Sequence, residues 1–332
     1  MDLTLLAPRD LDAATADQIA DLVNTANKVD APHLSPITGE MLRLRLLHGW
    51  DGIGTERVAV ARDDHGGVVG FGELELTHWD NPQLAVVDVL VHPDRRRAGL
   101  GTAVLDAVVA HARAAGRTSL VADTWADSPG AAFARHHGMT QASVAAQRRL
   151  HLDRLDQPRL DELLAQAAAA SRDYEPLRIA GAAPEHLLPS LAAVFDAIND
   201  APLDDLSMER DEFPLDRLRG FDTAHAARRH RLYRLVARQR SDGAPAGHTI
   251  VVVEGLRPHL AFQEDTTVVR EHRGHRLGLR LKLEMLRWLR DAEPQVRQID
   301  TWNAVSNAHM IAVNDAMGHV VVATGATFQR RL

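Results

Sequence analysis

The sequence predicts an α/β fold built twice, as two tandem units that are each a mixed, mostly antiparallel sheet flanked by helices. Three observations predict it. Asp123-Thr124-Trp125 recurs as Asp300-Thr301-Trp302, an offset of 177, and at that offset Arg96 meets Arg273, Leu100 meets Leu277, Gly101 meets Gly278, Asp88 meets Asp265, Val91 meets Val268 and Gly70 meets Gly247. Gln147-Arg148-Arg149-Leu150 recurs as Gln329-Arg330-Arg331-Leu332. Both halves run through the same order of strand and helix signals. A fixed internal offset is the mark of a duplicated unit, and 332 residues is the length of two ordinary domains. The expected division is 1–152 for the first domain, 153–174 for a linker and 175–332 for the second. Leu155, Leu160, Leu163 and Leu164 with an alanine run make the linker an amphipathic helix.

Taken in order, Ala14–Ala26 is helical. Val58–Arg62, Val68–Thr77 and Leu84–Val91 are β-branched runs broken by Asp-Asp-His-Gly-Gly and Asp-Asn-Pro, hence three strands. A polar loop, His92 to Ala98, leads to apolar residues at helical spacing from Leu100 to Val108. Thr118–Asp123 is a strand, and Ala131–His136 a short helix stopped by Gly138. The second half repeats this with a helix at Glu185–Ile198, strands at Leu232–Arg238, Thr249–Glu254 and Leu260–Val269, and a helix from Leu277 to Asp291.

Composition excludes several classes. There is no cysteine, so no disulfide, thiolate metal site or cysteine nucleophile exists. The net charge of −7 argues against a nucleic-acid partner and toward small or cationic ones. There is no apolar run of membrane-spanning length and no signal-peptide pattern at Met1-Asp2-Leu3-Thr4, so a cytoplasmic protein without a membrane partner is expected. His136-His137 and His272/His275 lack a third convergent ligand, so no metal site is expected.

The chemistry concentrates in two loops, Arg96-Arg97-Ala98-Gly99-Leu100-Gly101 and Arg273-Gly274-His275-Arg276-Leu277-Gly278, each between a buried strand and a helix start. Free backbone N–H groups and the helix dipole make such a turn an anion site, and glycine lets backbone approach a phosphate. A dinucleotide fingerprint would need a third glycine where Val104 stands, and no Gly-Lys-Ser/Thr P-loop occurs. The pattern resembles the pyrophosphate loop of the GNAT acetyltransferases, Arg/Gln-x-x-Gly-x-Gly/Ala. The first loop fits through Arg96, Gly99 and Gly101; the second fits through Arg273 and Gly278 but has Arg276 at the first glycine. The resemblance covers nearly the whole chain and implies two GNAT-like domains in tandem, an arrangement similar to that of the mycothiol synthases.

That resemblance implies acetyl-CoA as co-substrate, with no metal, and direct transfer to a small, cationic amine. It places the coenzyme against Leu90, Val91 and the loop through Thr102 in the first copy. In the second it implies Thr267, Val268, the loop Arg273–Gly278, and Asn307. The attacking amine must lose a proton. Carboxylates on the strand before the loop are the candidates: Asp88 in the first copy, Glu264 and Asp265 in the second. Asp88 is equally readable as a structural hydrogen bond. Strand alternation would set Glu264 and Asp265 on opposite faces, and Glu264 is slightly preferred as base because Asp265 shares its position with Asp88. The family's thiolate-protonating tyrosine is absent: Ala134 and Asn314 stand there, and Asn314 retains a donor for sulfur. Helix capping and an exposed polar face are the alternative readings of Asn307 and Asn314. The acidic run Asp200, Asp204, Asp205, Glu209, Asp211 and Glu212 either attracts a cationic acceptor on the second copy or is a solvated loop. The second copy is therefore expected to be catalytic. A non-catalytic acyl-CoA-binding sensor or scaffold, or a protein-lysine acetyltransferase, is the alternative.

Overall fold

The computed structural model describes residues 2–332 and divides into two compact units. The first takes the chain up to Ala145 with Leu203–Glu209 and Ala323–Leu332; the second takes Ala146–Pro202 and Arg210–Val322. The elements in chain order are β1 (Asp2–Leu6), α1 (Ala13–Asp30), α2 (Gly39–His48), β2 (Arg57–Arg62), β3 (Val68–Leu76), β4 (Leu84–Val91), α3 (Leu100–Ala114), β5 (Ser119–Trp125), α4 (Pro129–His136) and β6 (Thr140–His151). There follow α5 (Gln157–Ala170), β7 (Tyr174–Ala180), α6 (Leu188–Asp196), α7 (Leu215–Ala227), β8 (Arg231–Gln239), β9 (Pro245–Val253), β10 (Leu260–Val268), α8 (Leu277–Ala292), β11 (Gln298–Ala304), α9 (Ala308–Met317) and β12 (Val320–Arg331). Each unit is thus a mostly antiparallel sheet flanked by helices.

In the first unit the strand order is β1-β2-β3-β4-β5-β12. One face packs α3 through Leu100, Val104 and Val108 against Ala59, Leu74 and Val87. The other packs α1 and α2 through Ile19, Leu22, Leu42 and Leu46 against Val58, Val60 and Phe71. Caps start these helices: Asp12 accepts from the Thr15 N–H at 2.7 Å, and Thr38 from that of Met41 at 3.3 Å. In the second unit the order is β6-β11-β10-β9-β8-β7, with α8 packed through Leu281, Met285 and Leu289 against Leu235, Val251 and Ala261.

The closing strand of each sheet comes from the other half of the sequence. β12, carrying the second Gln-Arg-Arg-Leu, pairs with β5 from Gly325↔Trp125 to Arg331↔Ser119. The later part of β6, carrying the first, lies beside β11. The two strands share the Gln-Arg-Arg-Leu segment and little else.

One feature of the strand pairing positions the site in both units. β4 and β5 run parallel but pair over only Leu84↔Ser119, Ala85↔Leu120 and Val86↔Val121. Beyond Val86, β4 stays with β3 while β5 follows β12, so the two part. β10 and β11 do the same after Leu260↔Gln298, Ala261↔Ile299 and Phe262↔Asp300. A V-shaped gap thus opens ahead of each glycine-containing loop.

Candidate functional site

Each loop makes the same turn from a different residue order. Arg97 and Gly99 hold φ of 63° and 81° in the first loop; Gly274 and Arg276 hold 85° and 55° in the second. Both need two left-handed residues, and each has one glycine and one arginine to supply them. Arg276 at the first glycine position therefore leaves the turn intact. The first intrahelical acceptors are Gly99 O, to the Ala103 N–H at 3.0 Å, and Arg276 O, to that of Arg280 at 3.0 Å. The N–H groups of Leu100, Gly101 and Thr102, and of Leu277, Gly278 and Leu279, precede them and have no carbonyl of their own helix to meet. The glycines differ in what they clear. A Cβ on Gly101 would lie 3.2 Å from the Phe133 ring, whereas on Gly278 it would meet nothing nearer than Thr266 at 3.9 Å.

The motif arginines face away from this cradle. Arg96 Nε donates to the Val91 carbonyl at 3.2 Å, and its two terminal nitrogens donate to Asp30 at 3.0 and 2.5 Å. Arg273 repeats this, donating to the Val268 carbonyl at 3.0 Å and to Asp200 at 2.6 Å. The guanidinium groups that the sequence suggested for a pyrophosphate are loop braces. Arg97, Ala98 and Gly99 in the first loop, and Gly274, His275 and Arg276 in the second, are exposed. Asp30 escaped the sequence reading because it lies 66 residues from its partner.

Carboxylates line the gap in the first unit. Asp88 stands opposite Glu73 across β3 and β4. Glu73 is buried, held by Arg45 of α2 at 2.9 and 2.7 Å and by the Thr55 hydroxyl at 2.5 Å. Asp88 keeps solvent access, but the protein around it and then the Glu73 charge push its carboxyl up to about 6. Glu75, two residues along the same face as Glu73, is pushed up to about 7 for the same two reasons. Asp123 on β5 accepts from Thr327 at 2.5 Å and adds to the charge at Asp88. Among the described residues, four carboxylates, Glu73, Glu75, Asp88 and Asp123, and the Arg45 guanidinium gather here. The overlooked signal was Gly-Glu-Leu-Glu-Leu, in which alternation puts Glu73 and Glu75 on one face of a buried strand.

In the second unit the register of β10 against β9 slips between Gln263↔Val251 and Thr266↔Thr249. Glu264 and Asp265 occupy the resulting bulge, where strict alternation stops, so the inference that they face opposite ways does not hold. Burial, then the neighbouring Glu264 and Asp211 charges, pushes the half-buried Asp265 up to about 7, against a lowering by Arg217. Asp300, the counterpart of Asp123, is a structural group, tied to Arg149 at 2.7 and 2.8 Å and to Gln147 at 3.0 Å.

Asn307 caps α9, accepting from the Met310 N–H at 3.1 Å. Asn314 is fully buried, donates to Asn303 at 2.6 Å, and leaves its own Oδ1 without a partner among the described residues. Thr267 anchors α6 through the Val194 carbonyl at 2.8 Å. His272 meets the Tyr174 hydroxyl at 3.0 Å. Among the described residues no group of three or more His, Asp or Glu is placed to hold a metal ion, and no helix is long and apolar enough to cross a membrane. The acidic run divides. Asp200 pairs with Arg270 and Arg273 at 2.8 and 2.6 Å, and Asp211 lies near Asp265. Leu203–Glu209 belongs to the first unit, where Asp204 accepts from Ser143 at 2.7 Å.

Two αL-opened loops, each ahead of a helix start and beside a gap between parallel strands, thus recur in the two units. Residues 24–139 match the model of the acetyltransferase (GNAT) family. Over its whole length the chain is similar to a tandem GNAT protein from the clavulanic acid biosynthesis pathway, with 29% identity, a TM-score of 0.80, and 99% of this chain and 98% of that one covered. The family match thus lies within the first half of the chain, and the similarity in fold to a tandem GNAT protein extends over all of it. The chain is also 34% identical over 147 residues to a mycothiol acetyltransferase of Stackebrandtia nassauensis, covering 44% of this chain and 46% of that protein. A mycothiol acetyltransferase of Mycobacterium ulcerans is 30% identical over 171 residues, 50% of this chain and 49% of the relative. The chain thus spans about half the length of the curated relatives it matches. A GNAT structure from Sphaerobacter thermophilus, at 15% identity and TM-score 0.70, shares the fold.

Proposed function

We propose that the chain transfers an acetyl group from acetyl-CoA to the amine of a small, cationic acceptor by direct attack. The observation that carries this reading is shared by both GNAT units. Asp88 and Asp265 each stand three residues before the strand end that leads into the loop, beside the gap, with carboxyls raised to about 6 and about 7. A base that works at neutral pH needs a pKa near neutrality.

The coenzyme, when bound, supplies the acyl group as a thioester. The free N–H groups of Leu100, Gly101 and Thr102, and of Leu277, Gly278 and Leu279, are the donors for its pyrophosphate, with Arg97 and Arg276 exposed beside them. Asp265 accepts the proton that the amine loses, and Glu264 and Asp211 supply negative charge that draws a cation toward it. We assign turnover to the second unit because Asp265 lies in the β10 bulge beside Glu264, with Asp211 near it and, among the described residues, no guanidinium bound to it as Arg45 is to Glu73. A second reading, in which the first unit also turns over, is favoured by the acidic cleft of Glu73, Glu75 and Asp88. The relatives named mycothiol acetyltransferases make an amine of the mycothiol series the first acceptor to assay.

The test is thiol release from acetyl-CoA in the presence of an amine panel. Acceptor-dependent release that falls in Asp265→Asn supports the reading. Tight coenzyme binding with no release for any amine would instead make the chain an acyl-CoA-binding sensor, an outcome consistent with the missing tyrosines.

A further inference from the structure

Of the 38 basic residues, all but Lys28 and Lys282 are arginine. Lys28 is exposed near the end of α1, whereas Lys282, within α8, is 3% exposed. Arginine keeps its charge and is a poor nucleophile; lysine has an amine that can lose its proton. One of the two side chains with that property thus stands at a buried position. Its neighbour on the same helix, Arg280, shows the alternative: it pairs with Glu284 at 2.8 Å.

Among the described residues, Lys282 has no such counter-ion. It lines a cavity of the second unit together with Gln263, Met285, Ile299, Met317 and His319, and no carboxylate is among the lining residues. A buried ammonium without an anion is unfavourable. Burial accordingly pulls Lys282 down to about 7, and burial and the Lys282 charge pull His319 down to about 3. The titratable neighbour, His319, has its Nδ1 3.1 Å from the Asn314 carbonyl. The cavity lies beside the end of the β10–β11 pairing. Ile299 lies in the last stretch where β10 and β11 pair, and Gln263 is the first residue past it, so the cavity sits at the root of the gap.

We propose that Lys282 is an acyl acceptor within the protein itself, its Nζ taking the acetyl group of a thioester bound in the second unit. This rests on the reading that the second unit binds acetyl-CoA in its gap. The Nζ lone pair attacks the thioester carbonyl carbon; the N–C bond forms as the C–S bond breaks. The coenzyme leaves as thiolate, and the proton shed by nitrogen passes to that sulfur or to water. Nothing is oxidised or reduced. The product is an uncharged amide, which removes an unpaired cation from an apolar site. The Gln263 amide and the His319 ring are neighbours able to hydrogen-bond it, and the flexible Met285 and Met317 side chains are walls that adapt to added volume.

The experiment incubates the full chain with isotopically labelled acetyl-CoA, then maps acetylated peptides by mass spectrometry. With two lysines in the chain, Lys28 is the internal reference for uncatalysed acetylation. The expected result is label on Lys282 exceeding that on Lys28 by about tenfold or more near neutral pH, since an ordinary solvated lysine is almost wholly protonated there. The Lys282 labelling rate should rise with pH through about 7. It should vanish in Lys282→Met, which keeps the apolar stem, and drop in Gly278→Glu. Equal labelling of both lysines overturns the proposal. So does an unlabelled Lys282 when calorimetry on Gly101→Glu shows acetyl-CoA held by the second unit, and in that case the functional reading survives. If calorimetry shows no binding there, both fall.

Discussion

The exchange of Glu264 for Asp265 as preferred base follows from one lost assumption. Alternation along β10 assigns the two side chains to opposite faces, and the bulge between Gln263 and Thr266 cancels that assignment. What remains is position: Asp265 and Asp88 share a distance from the loop, and both titrate upward. Asp265→Asn is therefore expected to lower turnover by roughly 10²–10⁴-fold with coenzyme affinity nearly unchanged, the usual worth of a general base. Steady-state kinetics on this variant and on Asp88→Asn decide which unit works; a large loss from Asp88→Asn alone moves turnover to the first unit. The sign of the pH dependence is fixed by the direction of the shift. A base raised to about 7 is protonated below that, so kcat/KM should fall as pH drops through about 7. The same shift has a stability side. Asp265 holds its proton more tightly folded than unfolded, so its contribution to stability is full below the ordinary carboxylate range and is lost as pH rises to about 7. Asp265→Asn should thus stabilise the fold at neutral pH, on the order of 1 kcal/mol after discounting for partial exposure. Differential scanning calorimetry at acid and neutral pH reads it, and an equal Tm change at both would contradict the assignment.

At the level of elements, the strands and helices around the repeat were legible because their cues are local. Leu84–Val91 is bounded as expected, and Leu260–Val268 and the start of α8 are within a residue. α2, α7, β1 and β7 carry weaker patterns. The alternation in β1 is short, and α2 reads Glu-Met-Leu-Arg-Leu-Arg, with too little separation of its faces to announce a helix. The loops were legible as motifs but not as mechanics, because the partner of each motif arginine is remote in sequence. Arg96→Lys tests the brace. Lysine keeps the charge but cannot hold Asp30 and the Val91 carbonyl together. Acetyl-CoA should bind the first unit about tenfold more weakly, a loss of about 1.4 kcal/mol, with faster amide exchange at residues 97–102. Gly101→Glu should go further and abolish the coenzyme's thermal stabilisation of that unit, since its first side-chain atom already crowds Phe133. An unchanged coenzyme-induced Tm shift in Gly101→Glu would exclude this loop as the pyrophosphate site.

For the chain as a whole, the sequence announces duplication but not which strand closes which sheet. The Gln-Arg-Arg-Leu segment occurs twice, so it does not separate closure by β6 from closure by β12. The choice is made by long-range packing, which sequence pattern does not encode. Its outcome has a consequence that position along the chain would not suggest. Phe328 is fully buried, and it and Ala326 pack with Leu120, Ala131 and Met139 of the first unit. Phe328→Ala, a change near the C-terminus, should therefore destabilise the N-terminal unit by about 3–5 kcal/mol, the usual cost of emptying a phenylalanine site. Deleting residues 323–332 should go further, exposing the edge of β5 from Ser119 to Trp125 to water or to another chain. Hydrogen exchange resolved by peptide reads both changes: protection should collapse over β3, β4 and α3 while β8, β9 and α8 keep theirs. Loss confined to β8–β11 would mean that β12 closes its own half in solution, and the exchange of closing strands would be wrong.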